Sequence, residues 1–256
     1  MSTQEKKERV RVGAVSYLNT RPLVYGFEQG MMSDEIELIE EYPAKIADRL
    51  LKNEIDVGLV PVAILPALKE SHIISNFCIG AVGPVASVCI FSEVPIQRIS
   101  RLYLDYQSRT SVALTKVLLK EYWKISPELV PAPENFTSLV SGSTAALIIG
   151  DRALKQRPVS SYIYDLGEAW IAHTGLPFVF AAWIANKQLD EGFISRFNLA
   201  NAEGFKHIDE IIQANPFPWY SLHDYYTKAI DYTLDEAKKK GMELFVSKLS
   251  APEPVR

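Results

Sequence analysis

Short apolar runs rich in Val and Ile alternate along this chain with amphipathic stretches of helical period, and this alternation restricts the fold more than any other feature. One series of such runs starts with VRVGAV at Val10, and a second series starts with RLYLD at Arg101. Strands that are apolar throughout and separated by single helices are typical of parallel sheets covered on both faces. The sequence therefore predicts an α/β protein built from two such units.

Two further apolar segments determine how the units are connected. SVCIFSEVPIQRIS begins at Ser87 and LPFVFAAWIANKQ begins at Leu176, and each has the character of a crossover strand. The chain after them shows helical patterns only, which need an existing sheet to pack on. We therefore predict a discontinuous lobe of residues 1–93 and 180–256, an inserted lobe of residues 94–179, and a hinge of two strands.

Charge and hydropathy exclude two classes of partner. The chain carries 27 Lys and Arg against 31 Asp and Glu, a formal net charge of −4, and has no basic tract that could neutralise a run of phosphates. Its most apolar segments are too short to span a bilayer, and its charged amino terminus lacks the apolar stretch of a secretory signal. We therefore expect a soluble, cytoplasmic protein that binds neither nucleic acid nor membrane.

The motifs of common cofactor and metal sites are absent from the sequence. It contains no GxGxxG that opens a helix after the first strand, no GxxxxGK[ST] and no GxSxG. Cys78 and Cys89 lie in apolar runs, which is typical of buried thiols, and the four histidines are scattered without ligand spacing. We therefore predict no metal centre, and dinucleotide, nucleotide and serine-hydrolase sites lack their usual motifs.

The most polar of the predicted strand ends follows VRVGAV. Ser16, Tyr17, Asn19 and Arg21 lie there within SYLNTRP, where the carboxyl end of a strand places ligand-binding residues in open α/β sheets. A helix cap by Asn19 or Thr20 explains one of these polar groups. The density of the others favours a binding site.

A second polar group follows RLYLD. Ser108, Arg109, Thr110 and Ser111 directly precede an apolar helical pattern, and the free amides and positive dipole end of a helix start favour a carboxylate or a phosphate. Capping by Ser108 or Thr110 needs only one hydroxyl. Arg109 either contacts the ligand or points to solvent.

Three further positions complete the predicted site. Gly150 and Asp151 follow the strand AALII, where Asp151 is either a helix N-cap or a cleft residue, and Ser87 starts the first hinge strand. Aromatic residues near the carboxyl terminus are more typical of helix packing than of a cofactor site. These aromatic residues are Phe217, Trp219, Tyr220, Tyr225 and Tyr226.

Several motifs together resemble one known family. They are SYLNTRP at 16–22, DVGLVPVA at 56–63, SRTS at 108–111, IIGD at 148–151, and DLGEAW with TGLPFVFAAW within 165–183. In this order they are similar to the chorismate dehydratase family of the futalosine route to menaquinone. The resemblance implies a type II periplasmic-binding-protein fold, in which two α/β lobes are joined by a two-strand hinge.

The resemblance also implies a reaction. A carbon–oxygen lyase of this family removes water from chorismate, without a cofactor, and gives 3-[(1-carboxyvinyl)oxy]benzoate. We expect the two substrate carboxylates to bind the SRTS and SYLN helix starts, one on each lobe, so that binding closes the cleft. Asn19 cannot be a general base, because its amide only donates and accepts hydrogen bonds. We therefore hypothesise that a substrate carboxylate removes the ring C3 proton while Asn19 orients it or the leaving hydroxyl, with Asp151 as the competing base.

Two alternatives remain open from the sequence. The sister enzyme that forms 1,4-dihydroxy-6-naphthoate would be expected to carry a histidine after a second-lobe strand, where this chain has Asp151. A module that binds a small carboxylate without turning it over would have the same two lobes. The sequence also leaves open the order of the elimination steps, the hinge motion, and a homodimer formed through the terminal helices.

Overall fold

Two β-sheets organise the fold, and the computed structural model describes residues 8–250. In chain order the strands are β1 (Val10–Val15), β2 (Ile36–Glu41), β3 (Val57–Pro61), β4 (His72–Ala81), β5 (Val88–Ser92), β6 (Arg101–Leu104), β7 (Glu128–Pro131), β8 (Thr144–Ile149), β9 (Tyr162–Asp165), β10 (Phe178–Ala185) and β11 (Asp231–Thr233). The first sheet has the order β11-β4-β10-β3-β1-β2, and the second has the order β7-β6-β8-β5-β9. We call each sheet with its helices the first or second lobe. The predicted α/β class is confirmed.

Helices cover the sheets. They are α1 (Arg21–Glu28), α2 (Pro43–Leu51), α3 (Arg109–Leu118), α4 (Asp151–Gln156), α5 (Leu166–Thr174), α6 (Glu191–Glu203), α7 (Ile208–Ala214), α8 (Leu222–Asp224) and α9 (Glu236–Ser250). Helix α8 continues into a π-helical turn, Tyr225–Ala229. Within residues 8–250, no helix is both long enough and apolar enough to cross a membrane.

Strand direction follows from how the chain passes between the sheets. Strands β2, β1 and β3 are parallel neighbours, as are β7, β6 and β8. Strands β5 and β10 run antiparallel to both of their neighbours. Each of these two strands enters its sheet from the other lobe. It therefore starts at the edge where the parallel strands end and must run the opposite way.

The structure corrects several sequence expectations. Purely parallel sheets were predicted, but both sheets are mixed, and the short strand β11 lies in a region predicted to be helical only. Strand β5 pairs with β8 and β9, so the second sheet starts before the boundary predicted after residue 93. The predicted hinge strands β5 and β10 each belong to one sheet. The chain passes from the first sheet to the second through residues 82–87, and it returns through α5 and the residues between α5 and β10.

The division into a discontinuous lobe and an inserted lobe stays a prediction. Residues 1–7 and 251–256 of the predicted first lobe lie outside the described residues. Aromatic packing connects α5 and β10, through which the chain returns to the first sheet, to the carboxyl-terminal helix α9. Trp170 of α5 contacts Phe178 of β10 and Phe245 of α9, with ring centroids 5.2 and 6.0 Å apart, and all three side chains are buried.

Candidate functional site

A narrow cavity lies where the strand ends of the two sheets meet. The cavity has a volume of about 40 Å³, which is room for about three water molecules at 10–15 Å³ each. Its lining contains no charged side chain among the residues described. The polar lining comes from Tyr17, Asn19, Ser87, Ser108 and Ser111, and the rest from Val15, Pro43, Pro61, Ile79, Val85, Val88, Ile149, Gly150, Phe180 and Ala181.

The SYLN segment forms the first-lobe wall of this cavity. Tyr17 and Asn19 both line it, directly after β1. The Asn19 carbonyl accepts a hydrogen bond from the Tyr232 hydroxyl at 2.9 Å, and its side-chain Oδ1 accepts one from Thr20 at 3.2 Å. Tyr232 belongs to β11, so the short strand that sequence patterning missed fixes the backbone of Asn19.

The start of α3 forms the second-lobe wall. Ser108 caps the helix, because its Oγ accepts from the Ser111 amide at 3.2 Å, and the two hydroxyls lie 2.9 Å apart. Of the two capping residues that the sequence left open, Ser108 and Thr110, it is Ser108 that caps α3. Thr110 is buried, and its Oγ1 accepts from the Ala63 amide of the first lobe at 3.1 Å. Thr110 therefore joins the two lobes beside the cavity.

Four predicted binding residues are not part of the cavity lining: Thr110, which joins the lobes, and Ser16, Arg21 and Arg109. Ser16 is exposed, and its amide donates to the backbone of β2. The Arg21 guanidinium pairs with Glu28 at 2.8 Å and with Glu40 at 2.7 Å. Arg109 pairs with Asp48 of the first lobe at the rim of the interface, where both side chains are nearly half exposed. Carboxylates of the protein already satisfy both arginines, so their role in substrate binding stays a prediction.

Asp151 and Gly150 hold the lobes against each other. Asp151 is the first residue of α4, and its Oδ1 accepts from the Leu18 amide of the SYLN segment at 3.1 Å. Burial raises the pKa of Asp151, although the Leu18 amide and nearby cations oppose this shift. Asp151 is not part of the cavity lining. Gly150 is, and a Cβ added there would lie 2.9 Å from the Tyr17 ring.

A buried ion pair that the sequence analysis missed supports Tyr17. Asp105, which is fully buried, pairs with Arg152 at 2.8 Å and accepts from the amides of Gln107 and Ile149. Arg152 also donates to the Gln107 side-chain oxygen at 2.8 Å, and the Tyr17 hydroxyl donates to the same oxygen. Asp105 ends RLYLD and Arg152 follows IIGD, so both stand at strand ends, and that position was the available signal.

A second missed carboxylate shapes the crossing before Ser87. Asp165 accepts from the amides of Val85 at 3.0 Å and Ala86 at 2.7 Å, and from Gly167 and Glu168 at the start of α5. Ala86 has φ +64°, a conformation unfavourable for a residue with a Cβ. Asp165 therefore holds the turn that presents Ser87 to the cavity.

The carboxyl-terminal aromatic residues have more than a packing role. Tyr225 and Tyr226 are buried as predicted, and Tyr232 reaches Asn19. Trp219 is 49% exposed and stacks under Lys155 of the second lobe, with the ammonium 4.7 Å from the ring centroid. Sequence patterning could not find this contact, because its two residues come from different lobes.

The other chemistry-bearing groups remain apart. Cys78 and Cys89 are buried free thiols, which confirms that prediction, and burial raises the pKa of both. Within residues 8–250, no three His, Cys, Asp or Glu side chains are grouped so that they could hold a metal ion.

Comparisons with known proteins place these features in context. A family model described as menaquinone biosynthesis matches residues 10–251. A chorismate dehydratase from Thermus thermophilus is 26% identical over 266 aligned positions, which cover 94% of this chain and 95% of that protein. A solved structure from Archaeoglobus fulgidus is similar with a TM-score of 0.76 and 14% identity, covering 94% of this chain and 96% of the other.

A second solved structure, from Candida albicans, is described as having the generic periplasmic-binding-protein fold. Its TM-score is 0.63 at 14% identity, and the match covers 97% of this chain and 92% of the other. At this identity the likeness concerns the fold alone. The fold implied by the sequence resemblance is confirmed.

Proposed function

The chain belongs to the menaquinone biosynthesis family, and from that premise we propose that it is a chorismate dehydratase. It removes water from chorismate and yields 3-[(1-carboxyvinyl)oxy]benzoate. The Thermus thermophilus relative of that name is similar over nearly the whole chain. The structural observation that carries the proposal is the cavity between the lobes, whose polar lining comes from the SYLN segment and the start of α3.

The proposed reaction is a 1,2-elimination. The ring C3–H bond breaks and its electron pair becomes a ring double bond, while the neighbouring C–O bond breaks and the hydroxyl group leaves to form water with a proton. The ring becomes aromatic, which makes the product strongly favoured. Because the elimination is redox-neutral, we propose that it needs no cofactor. A cytoplasmic location and a homodimer stay predictions from the sequence.

Substrate binding would use both walls of the cavity. Chorismate carries two carboxylates, and the first amides of α3 have no partner within the helix, as at every helix start. The hydroxyls of Ser108 and Ser111 stand at the same place. Tyr17 and Asn19 offer hydrogen-bonding groups from the opposite lobe. A dianion held by both walls would keep the lobes closed and exclude water during elimination.

The position of Asp151 favours a base supplied by the substrate. One oxygen of Asp151 accepts from the Leu18 amide, and the side chain is not part of the cavity lining, whereas Asn19 is. We therefore propose that a carboxylate of chorismate takes the C3 proton and that Asn19 orients this carboxylate or the departing hydroxyl. Asp151 acts in this scheme by holding the SYLN segment against the second lobe.

Incubation of the purified protein with chorismate and a chelator tests the proposed function. We expect chromatography and mass spectrometry to show a product lighter by one water. If the protein neither turns over nor binds chorismate, this result contradicts the proposal and favours the naphthoate-forming sister enzyme.

Two variants then assign the roles. Asn19→Ala is expected to lower kcat at least about a hundredfold, a loss of the order found when a group that stabilises the transition state is removed. Asp151→Asn retains an oxygen that can accept from the Leu18 amide, so it is expected to keep most of the turnover. A loss of several orders of magnitude in Asp151→Asn with chorismate binding intact would contradict the substrate-assisted base.

A carboxylate-binding module is the second candidate. The observation in its favour is the fold, which this chain shares with the periplasmic-binding-protein-like structure from Candida albicans. Chorismate that raises the melting temperature but is recovered unchanged would support this candidate against the dehydratase.

A further inference from the structure

Two hydroxyl groups, one in the cavity wall and one next to it, are buried and form no hydrogen bond of standard geometry within residues 8–250. They belong to Tyr225, which is 0% exposed, and to Ser87, which is 1% exposed. Burying a hydroxyl without a partner is unfavourable, so two such hydroxyls in one place require an explanation.

The two hydroxyls are neighbours, and Asn19 lies beside them. Ser87 and Asn19 line the cavity, whereas Tyr225, the first residue of the π-helical turn, is not part of the lining but interacts with both of these side chains. Burial raises the pKa of Tyr225 well above its usual value, and the proximity of Ser87 and Asn19 opposes this only in part. The phenol therefore remains protonated at physiological pH, where it is a hydrogen-bond donor and not a base.

Local geometry also separates Tyr225 from an ordinary packing residue. Phenylalanine would fill the same apolar space without a buried hydroxyl. Residues 225–229 form a π-helical turn, a rare element that is frequent at functional sites, and this turn starts with Tyr225. The backbone is thus arranged so that the phenol lies close to two residues of the cavity wall.

We propose that Tyr225 is a positioning residue for the dehydration, an inference that rests on the proposed function. In the substrate complex its O–H donates to Ser87 Oγ. A serine hydroxyl has one donor, so with Tyr225 on a lone pair of the oxygen, the Ser87 proton points into the cavity. Ser87 then donates to a substrate oxygen and stabilises the negative charge that develops during elimination.

The first test compares two matched variants, each of which removes one buried hydroxyl. Tyr225→Phe is expected to lower kcat about tenfold or more with KM changed by less than about threefold, which separates positioning from substrate binding. Its melting temperature should stay equal or rise, because an unpaired buried hydroxyl is lost. Tyr226→Phe is the control, since the Tyr226 hydroxyl is also buried and unpaired but is not next to Ser87.

A double variant tests whether Tyr225 acts through Ser87. If it does, Ser87→Ala combined with Tyr225→Phe is no slower than Ser87→Ala alone, because the two residues form one unit. Independent losses that multiply would contradict the proposal, as would near-wild-type kcat in Tyr225→Phe or an equal loss in Tyr226→Phe. Turnover by the wild type is measured in the same assay. Its absence would contradict the proposed function itself, whereas wild-type turnover with an unaffected Tyr225→Phe contradicts only this inference.

Discussion

Gly150 is a residue at which the two lobes approach each other closely beside the cavity. Its backbone has φ +63° and ψ −147°, a combination that only glycine adopts without strain, and its amide donates to the Ser87 carbonyl at 2.8 Å. The Tyr17 ring occupies the space in which a Cβ would stand. Two separate restrictions, one of conformation and one of space, therefore apply to the same position.

Gly150→Ala is expected to lower the free energy of unfolding by about 1–3 kcal/mol and to displace the Tyr17 ring. Two controls separate the causes. Gly142 has φ +55° with open space around it, and Gly83 has open space and no positive φ. Urea unfolding should rank the losses as Gly150→Ala above Gly142→Ala, with Gly83→Ala near zero. Equal losses at Gly150 and Gly142 would show that the Tyr17 contact contributes nothing.

At the scale of elements, Asp165 joins the end of β9, the start of α5 and the crossing that precedes β5. Both of its oxygens accept from backbone amides. In Asp165→Asn an amide NH2 group, which is a donor, replaces one oxygen and faces a backbone N–H, which is also a donor. We therefore expect a loss of about 1–3 kcal/mol of stability together with slower turnover, because Ser87 follows the released turn. Asp190→Asn at the start of α6 is the control, since Asp190 only caps a helix and asparagine caps equally well. Similar stability of the two variants in urea would refute this role of Asp165.

Asp56 joins β1, β3 and the segment after β10, and it makes stability depend on pH. Burial alone would raise its pKa, but hydrogen bonds from Arg11 and Lys187 outweigh burial and hold the pKa of the carboxyl well below its usual range. The ionised form therefore favours the folded state. This contribution is complete above a pH of about 4, the unfolded pKa, and is lost as pH falls through the folded pKa.

Asp56→Asn is accordingly expected to destabilise the protein at pH 7 and to do so less as the pH is lowered. Urea unfolding of wild type and variant at both ends of this range measures the difference. Asp34→Asn, at an exposed carboxyl, serves as the control and is expected to change the stability little. A constant gap between wild type and Asp56→Asn would contradict the argument.

At the scale of the whole molecule, the lobes are closed. The free space of about 40 Å³ in the cavity is far below the 300–1,000 Å³ of typical small-molecule sites, so a substrate must enter while the lobes are apart. Contacts across the interface stabilise closure, among them Leu18 with Asp151, Ala63 with Thr110, and Lys155 with Trp219. Binding and closure are therefore expected to be coupled.

Thr110→Val tests this coupling, because it removes the acceptor for the Ala63 amide while preserving side-chain shape. A lost hydrogen bond of about 1 kcal/mol should disfavour the closed state and raise KM for chorismate about fivefold. Thr115→Val, one turn later in α3, is the control. The Thr115 hydroxyl bonds only within its own helix, to the Ser111 carbonyl, so its KM should stay unchanged. Equal KM values in the two variants would show that the hydrogen bond between Ala63 and Thr110 does not contribute to closure.

The sequence by itself determined the α/β class, the ends of the parallel strands and the polar part of the cavity wall. Apolar periodicity depends on neighbouring residues, and a polar group directly after a strand lies at the ligand-binding edge in any sheet of this type. Tyr17, Asn19, Ser108 and Ser111 were found by that reasoning, Gly150 by its place after a strand, and Ser87 by its place at the start of a predicted hinge strand. All six line the cavity.

Only the tertiary structure decided which polar groups are already satisfied and which remain unpaired. Arg21 and Arg109 are paired with acidic residues that no local sequence pattern places beside them. Tyr225 comes close to Ser87 although the two residues lie 138 positions apart in the chain. The direction of β5 and β10 was likewise fixed by the passage between lobes. Contacts between residues distant in sequence depend on how the two sheets close on each other, and local pattern contains no information about that closure.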